Sequence, residues 1–396
     1  MNSRQHRESK IIAVGGGKGG IGKTVVSASI AMALAEAKKD VVVIDGDLGG
    51  ANLHAIFGIY LPRRTLYDFY TRKVSRLSDL ILDTPIPGVR VICGAPGTPG
   101  MANIRYWEKL KTLRHLNYLN ADYVIVDLGA GMSFNEIDFF NSADIGIVVA
   151  SPEPTSIHEC YNFIKMTLFR KLHRAFMDYP DVLEVLQRSA DPMHLHDRRL
   201  MSQIAEDIRS RNLRAGIRFY KLLNHTSPKL ILNKLHTYQE YQDGLSLQVA
   251  AQELLRIKVE YWGYLPYSPH VPQAVRERRP DQILRADTQL RRHVVKIVQK
   301  FILHRPVAYS APGARPIVPI TDVQATARAH PNVLERESRI CSIHCPLWGH
   351  CHFQEGGLPC RMPKKEYEAR VLARNAVVSA DMDSMSLPDN RSGEPS

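Results

Sequence analysis

The chain has 396 residues, 44% of them apolar and 23% charged, which is enough to bury one large core or two small ones. No run of eighteen apolar residues occurs, and Met1–Lys10 is polar, so neither a membrane-spanning helix nor a signal peptide is expected and the expected location is the cytoplasm. The net charge of +12 suits contact with nucleic acid or an anionic membrane, and serves solubility equally well.

The first predicted element is a short buried strand, Ile11-Ile12-Ala13-Val14. It runs into Gly17-Lys18-Gly19-Gly20-Ile21-Gly22-Lys23-Thr24, and an Ala/Ser-rich helix is predicted over Val25–Ala37. Strand, glycine-rich loop and helix is the context that a phosphate cradle needs. Glycines let backbone N–H groups converge on phosphate oxygens, and the helix N-terminus adds its positive dipole end. Lys23 is expected on the β/γ-phosphates and the Thr24 hydroxyl on Mg²⁺. Lys18 is surplus, because one lysine suffices for such a loop. The stretch predicts binding of a nucleoside triphosphate.

Further strands are predicted at Val41–Ile44, Val89–Cys93, Tyr123–Asp127, Ile145–Ala150, Lys229–Asn233 and Tyr261–Leu265, with amphipathic helices between most of them. Continuous apolar runs alternating with helices predict an α/β fold, a mostly parallel twisted sheet covered by helices on both faces. Ligands then sit at the carboxyl ends of the strands, where Lys18, Asp47 and Asp127 fall. A basic helical insertion is expected at about 169–228, with breaks at Pro180 and Pro192. A basic amphipathic helix over Leu290–Ile302 is expected to pack on the sheet and close the core. The domain expectation is a nucleotide-binding core over 1–304, a Pro-rich linker at 305–336, a four-cysteine module at 337–362, and a short helix with a disordered tail at 363–396.

Asp127 ends an apolar strand, where a carboxylate can support the Mg²⁺ shell, and Gly129 and Gly131 allow the following loop to move. Asp45 and Asp47 follow another strand and are expected to project beyond the sheet edge, one orienting the attacking water and the other backing the metal. Ser156-Ile-His-Glu159 fits a capping box at a helix start.

These residues carry a family resemblance. Lys18–Thr24, together with Val43-Ile-Asp45-Gly-Asp47-Leu-Gly-Gly-Ala-Asn52, resembles the deviant Walker-A ATPases of the MinD/ParA family. The segments Tyr123–Gly131, Pro152–Ile157, Trp262–Pro269 and Ala274–Pro280 are most similar to its FlhG-like, flagellar-number branch. The resemblance covers about 10–168 and 229–303. It implies an ATP-sandwich homodimer in which Lys18 reaches the partner's phosphates, while Lys23 serves its own site. It also implies that Asp47 positions the hydrolytic water, with Lys18 and Asp47 as the catalytic pair. Thr24, Asp45 and Asp127 would support Mg²⁺. Nucleotide contacts would come from Gly17, Lys18, Gly19, Gly20, Ile21, Gly22, Lys23, Thr24 and Val25, and from Asn233 and Pro266 at the adenine. Glu159 falls where the family places an acid that holds the signature lysine before dimerisation. Three features depart from the FlhG-like pattern: Met1–Lys10 has no Asp-Gln motif, the chain continues past the core instead of ending in a membrane-targeting helix, and the insertion at about 169–228 is extra.

That continuation holds Cys341, Cys345, Cys351 and Cys360, interleaved with His344, His350 and His352. In a cytosolic chain such a cluster suggests a metal site over a disulfide framework. Four thiolates can hold a 4Fe-4S cluster or Zn²⁺, and four unliganded thiols are the remaining reading. Three function classes follow. The first is a switch that uses ATP to dimerise and hydrolysis to release, positioning or numbering a cellular structure, with a protein partner that stimulates hydrolysis and a place at the inner membrane or cell pole. The second is an iron–sulfur carrier or reductase-type ATPase, and the third a partition ATPase on non-specific DNA. The insertion is expected to offer a partner-binding surface.

Overall fold

The computed structural model describes residues 9–47, 50–94, 106–190, 200–284 and 289–305. Its strands are β1 (Lys10–Gly15), β2 (Val41–Gly46), β3 (Leu82–Asp83), β4 (Val89–Ile92), β5 (Tyr123–Leu128), β6 (Ile145–Ala150), β7 (Lys229–Leu235) and β8 (Glu260–Pro266). They form one eight-stranded sheet in the order β3-β4-β2-β5-β1-β6-β7-β8. Every pair is parallel except β3 with β4. All seven expected strands are present, and β7 runs two residues further than expected. β3 is an addition: two residues on the edge carry no periodic signal in the sequence.

The helices are α1 (Lys23–Glu36), α2 (Leu53–Ile56), α3 (Leu66–Tyr70), α4 (Tyr106–Leu116), α5 (Phe134–Ser142), α6 (Pro154–Ala175), α7 (Pro180–Ala190), α8 (Met201–Arg211), α9 (Leu213–Asn224), α10 (Tyr241–Leu255), α11 (His270–Glu277) and α12 (Gln289–Ile297). Side chains of alternate strand residues enter opposite layers, which is why the strands read as unbroken apolar runs. Ile12, Val14, Val43, Ile125 and Ile147 join a core with Val26, Ile30 and Leu34 of α1 and Leu290, Val294 and Ile297 of α12. On the other face Phe140 of α5 and Phe163 of α6 meet edge to face, 5.1 Å apart, beneath Gly15. Helices therefore cover both faces, as expected.

The closing helix also forms as expected. Trp262 of β8 stacks on Phe301 with ring centroids 5.2 Å apart, just beyond α12, and Arg291 pairs with Glu36 of α1 at 3.0 Å. The insertion differs in its boundary. α6 starts in the core and runs through Phe169 without a break, so the extra helices α7, α8 and α9 grow from a core helix. Pro180 opens α7, a position where its missing N–H costs nothing. Pro192 lies outside the described residues.

Candidate nucleotide site

The loop between β1 and α1 lies at the carboxyl end of the sheet's central strands, where the turns after β2, β5 and β7 also emerge. Two of its glycines are required by space. Gly22 sits at φ +88°, and a Cβ there would lie 2.4 Å from Asn233 Nδ2; a Cβ on Gly17 would lie 2.5 Å from the Glu159 carbonyl oxygen. β7 braces the loop from outside. Asn233 Nδ2 donates to the Ile21 carbonyl at 2.8 Å, and Lys234 Nζ to the Gly20 carbonyl at 2.7 Å. These contacts turn loop carbonyls outward, leaving N–H groups for a ligand.

The two loop lysines point to different places. Lys23 is buried and its Nζ donates to the Lys18 carbonyl at 3.2 Å, within its own loop. Burial pushes its pKa down, against the pull of Asp127, Asp47 and Glu136. Lys18 leaves the loop altogether. Its Nζ meets Glu153 Oε2 at 2.5 Å and Thr155 Oγ1 at 2.7 Å, at the start of α6. The Lys18 side chain is 34% exposed and Glu153 61%, so the pair is a surface contact that can exchange partners.

The acids fall in two groups. Asp45 and Asp127 are register partners on β2 and β5, both buried. Burial, followed by the Asp127 charge, raises the Asp45 pKa to about 8. Burial also raises Asp127 to about 6, opposed by hydrogen bonds from Ser27 and Thr24 and by the Lys23 charge. Ser27 Oγ donates to Asp127 Oδ1 at 2.8 Å. Asp47 stands apart, beyond the end of β2. Its Oδ1 accepts from the Gly50 N–H at 2.8 Å, and its carboxyl faces Gly129 in the loop after β5.

The structure brings together every expected loop residue with Asp45, Asp47, Asp127 and Asn233. Pro266 closes β8 opposite Leu235, two residues past Asn233 on the adjacent strand. Val25 is half-buried in the first turn of α1.

Three expectations are corrected. Asp45 does not project beyond the sheet edge. It lies inside β2, and its two oxygens accept from the N–H groups of Asp47 (3.2 Å) and Leu53 (3.0 Å). Ser156 and Glu159 form no capping box, because Pro154 opens α6 at the first helical position with Glu153 before it. Ser156 Oγ instead accepts from the Ser151 N–H at 2.9 Å. Glu159 does not hold Lys18 either; Glu153 and Thr155 do.

Ser27, Glu153, Thr155 and Lys234 are additions. Ser27 lies one helical turn past Thr24, which the sequence could have flagged. Glu153 and Lys234 reach the loop only through the fold. Cys93 and Cys160 are buried free thiols, with Cys93 pushed up to about 12 by burial and then by the Asp45 charge, and Cys160 raised by burial alone. Cys341, Cys345, Cys351 and Cys360 lie outside the described residues.

Residues 12–280 match the CobQ/CobB/MinD/ParA nucleotide binding domain. The chain belongs to this family. Its P-loop and mostly parallel sheet are thus those of a MinD/ParA-type nucleotide-binding domain. Antiactivator FleN of Pseudomonas aeruginosa PAO1 is 37% identical over 172 residues, 41% of this chain and 60% of that protein. The flagellum site-determining protein YlxH of Helicobacter pylori 26695 is 32% identical over 163 residues, 40% of this chain and 53% of that protein. The chain thus spans only between half and three-fifths of these relatives. In fold, it is similar to MinD in the MinC:MinD cell division complex of Aquifex aeolicus, with a TM-score of 0.51 and 18% identity, covering 76% of this chain and 99% of that one.

Proposed function

We propose that this protein is an ATP-dependent dimerisation switch of the MinD/ParA type, which hydrolyses ATP slowly to position or number a cellular structure. The observation that carries this reading is the divergence of the two lysines: Lys23 is committed to its own loop, whereas Lys18 is turned out to the surface. A lysine outside its own cradle is placed to reach phosphates bound by a second copy. The names of the relatives FleN and YlxH, antiactivator and flagellum site-determining protein, support a flagellar or other polar assembly as the structure positioned. A protein partner that stimulates hydrolysis, and a place at the inner membrane or pole, belong to the same reading.

The mechanism uses the chain's own groups. The loop N–H groups cradle the phosphates, and Lys23 exchanges the Lys18 carbonyl for β/γ-phosphate oxygens. Lys18 of each copy leaves Glu153 and Thr155 to clamp the charge that spreads over the transferring phosphoryl group. Asp47 faces the glycine loop after β5 and orients the attacking water, keeping its proton-accepting oxygen close to the reaction. Asn233 and Pro266, on adjacent strands, frame the base.

Among the described residues no group of three or more acid, His or Cys side chains is arranged to hold a metal ion alone. That suits Mg²⁺, which prefers one or two protein oxygens plus substrate phosphates. The Thr24 hydroxyl on Asp127, with Asp45 beside it, is a donor set of that kind; bound there, Mg²⁺ would neutralise phosphate charge.

Among the described residues the cysteines, Cys93 and Cys160, are both buried in the core, so neither offers a surface thiol to a cluster shared between copies.

The test is Lys18→Ala. Light scattering coupled to size exclusion should show wild type as a dimer with Mg-ATP, while the variant binds ATP within about threefold and stays monomeric. An ATP-dependent dimer in the variant would sink the sandwich reading.

A further inference from the structure

The helix α9, Leu-Arg-Ala-Gly-Ile-Arg-Phe-Tyr-Lys-Leu-Leu-Asn, carries more apolar surface than its packing uses. Ala215, Gly216, Phe219 and Leu223 are buried against the protein. Leu213, Ile217 and Tyr220 are 62%, 50% and 37% exposed. At 100° per residue these three share one stripe, within about 60° of arc. Arg214, Arg218 and Lys221 form a second stripe about 100° further round, and His225 continues it past the helix end. The helix contains no Asp or Glu.

α9 is also held in shape before anything binds. Asn212 Oδ1 caps its first turn by accepting from the Ala215 N–H at 3.0 Å. A Cβ on Gly216 would lie 2.7 Å from Arg209 of α8, so the two helices pack backbone to backbone. Phe219 meets Phe176 at the end of α6, with rings 5.9 Å apart. Met177, the next residue along from Phe176, is 64% exposed.

We infer that α9 is an interfacial helix that docks this protein on an anionic lipid bilayer, with Leu213, Ile217 and Tyr220 entering the headgroup boundary and Arg214, Arg218 and Lys221 on lipid phosphates. Adjacent apolar and basic stripes along one rigid helix are what such a surface takes up. A second copy is a poor occupant, because an isologous contact would bring one basic stripe against another. A folded protein partner usually needs about 800 Å² per side, more than three side chains supply. DNA would use the basic stripe and leave the apolar one without a role. Three apolar side chains with three cations give weak, reversible attachment. The docking rests on the membrane part of the proposed function, and because α9 is not part of the phosphate loop, its failure would leave the nucleotide reading standing.

The test is flotation of the full chain with vesicles of phosphatidylcholine alone or with 40% phosphatidylglycerol, the latter fraction being on the order of that in an anionic membrane. Binding is expected only to the anionic vesicles and should fall as salt rises. Leu213→Ser with Ile217→Ser keeps every charge and should weaken binding at least about tenfold. Arg214→Gln with Lys221→Gln should weaken it comparably. All four positions are exposed, so unchanged melting temperature and ATP binding serve as the folding control. Tyr220→Trp gives a second reading, a blue shift of emission with anionic vesicles. A wild-type chain that stays in solution overturns the proposal, as does a Ser variant that floats undiminished. So does a chain that retains duplex DNA or poly-glutamate while ignoring vesicles.

Discussion

Asp45 and Asp127 sit side by side across β2 and β5, one with its pKa raised to about 8 and the other to about 6, in both cases chiefly by burial. An acid whose pKa is higher in the folded than in the unfolded chain keeps its proton while the unfolded form gives it up. Such a group lowers stability as pH rises from about 4, and the loss is complete once the folded acid has also ionised. For Asp45 the window runs to about pH 8; for Asp127 it closes near pH 6. His54, His115 and His293 have pKa values lowered by burial and so act with the opposite sign below about pH 6.5. Comparison with Asp45→Asn removes those common contributions. The nucleotide-free wild type should lose stability relative to Asp45→Asn between pH 5 and 8, by an amount on the order of a few kcal/mol. Urea unfolding at stepped pH reads this directly. A difference between the two that does not change with pH would mean that Asp45 is already ionised in the free protein. The cost of keeping that site uncharged gives a physical reason for it to welcome a cation.

Away from the loop, α4, α5 and α6 are tied together by one acid. Asp138 of α5 is fully buried and meets Lys109 of α4 at 2.5 Å, Arg170 of α6 at 2.9 Å and Arg174 of α6 at 3.4 Å. Burial works to raise its pKa, but the hydrogen bonds from Arg170 and Lys109 and the charges of Lys109 and Arg174 outweigh it, and the net shift is down. Its stabilisation is therefore present above the ordinary carboxylate range and lost as pH falls below about 4. Asp138→Ala leaves Lys109 buried without this counter-charge and should cost about 3–5 kcal/mol, read from denaturant midpoints at pH 7. A loss below about 1 kcal/mol would show that the helices hold together without the acid. Nothing in the sequence marks Asp138, because a single acid in an amphipathic helix reads as a solvated face and its partners lie about thirty positions away. Legibility divides along the same line elsewhere. The seven parallel strands were readable as continuous apolar runs, and the phosphate loop as eight contiguous residues. The Lys18 contact with Glu153 spans 135 positions and the Lys234 contact with Gly20 spans 214. Contacts of that separation are set by strand order, which local pattern does not carry. Asp45 was misplaced for a related reason. Its position after an apolar run was visible, but the turn that folds Asp47 and Leu53 back onto its oxygens was not.

At the scale of the whole chain, α12 and the π-helical Val298–Ile302 close the described part of the nucleotide-binding core. Leu290, Val294, Ile297, Val298 and Ile302 are buried there, and Trp262 is covered by Phe301. The division of the chain falls at Ala314, with the four clustered cysteines beyond it. Among the described residues, β8 is covered and α12 is packed against the sheet. A chain ending at Ala314 should therefore bind ATP within about twofold of the full chain, a difference of roughly 0.4 kcal/mol. It should also form the same Mg-ATP dimer. The four clustered cysteines carry only a sequence expectation, a 4Fe-4S cluster, Zn²⁺ or four free thiols, and the full and shortened chains purified without oxygen separate the three. Visible absorbance distinguishes a cluster from the colourless zinc site, and metal analysis of the two chains side by side locates it. A shortened chain that precipitates or fails to bind ATP would make the tail part of the core. Metal retained by the shortened chain would move the site to core residues. Because Cys93 and Cys160 are buried thiols, that second outcome would require the core to open, and it would show as a changed hydrogen-exchange pattern over β4 and α6.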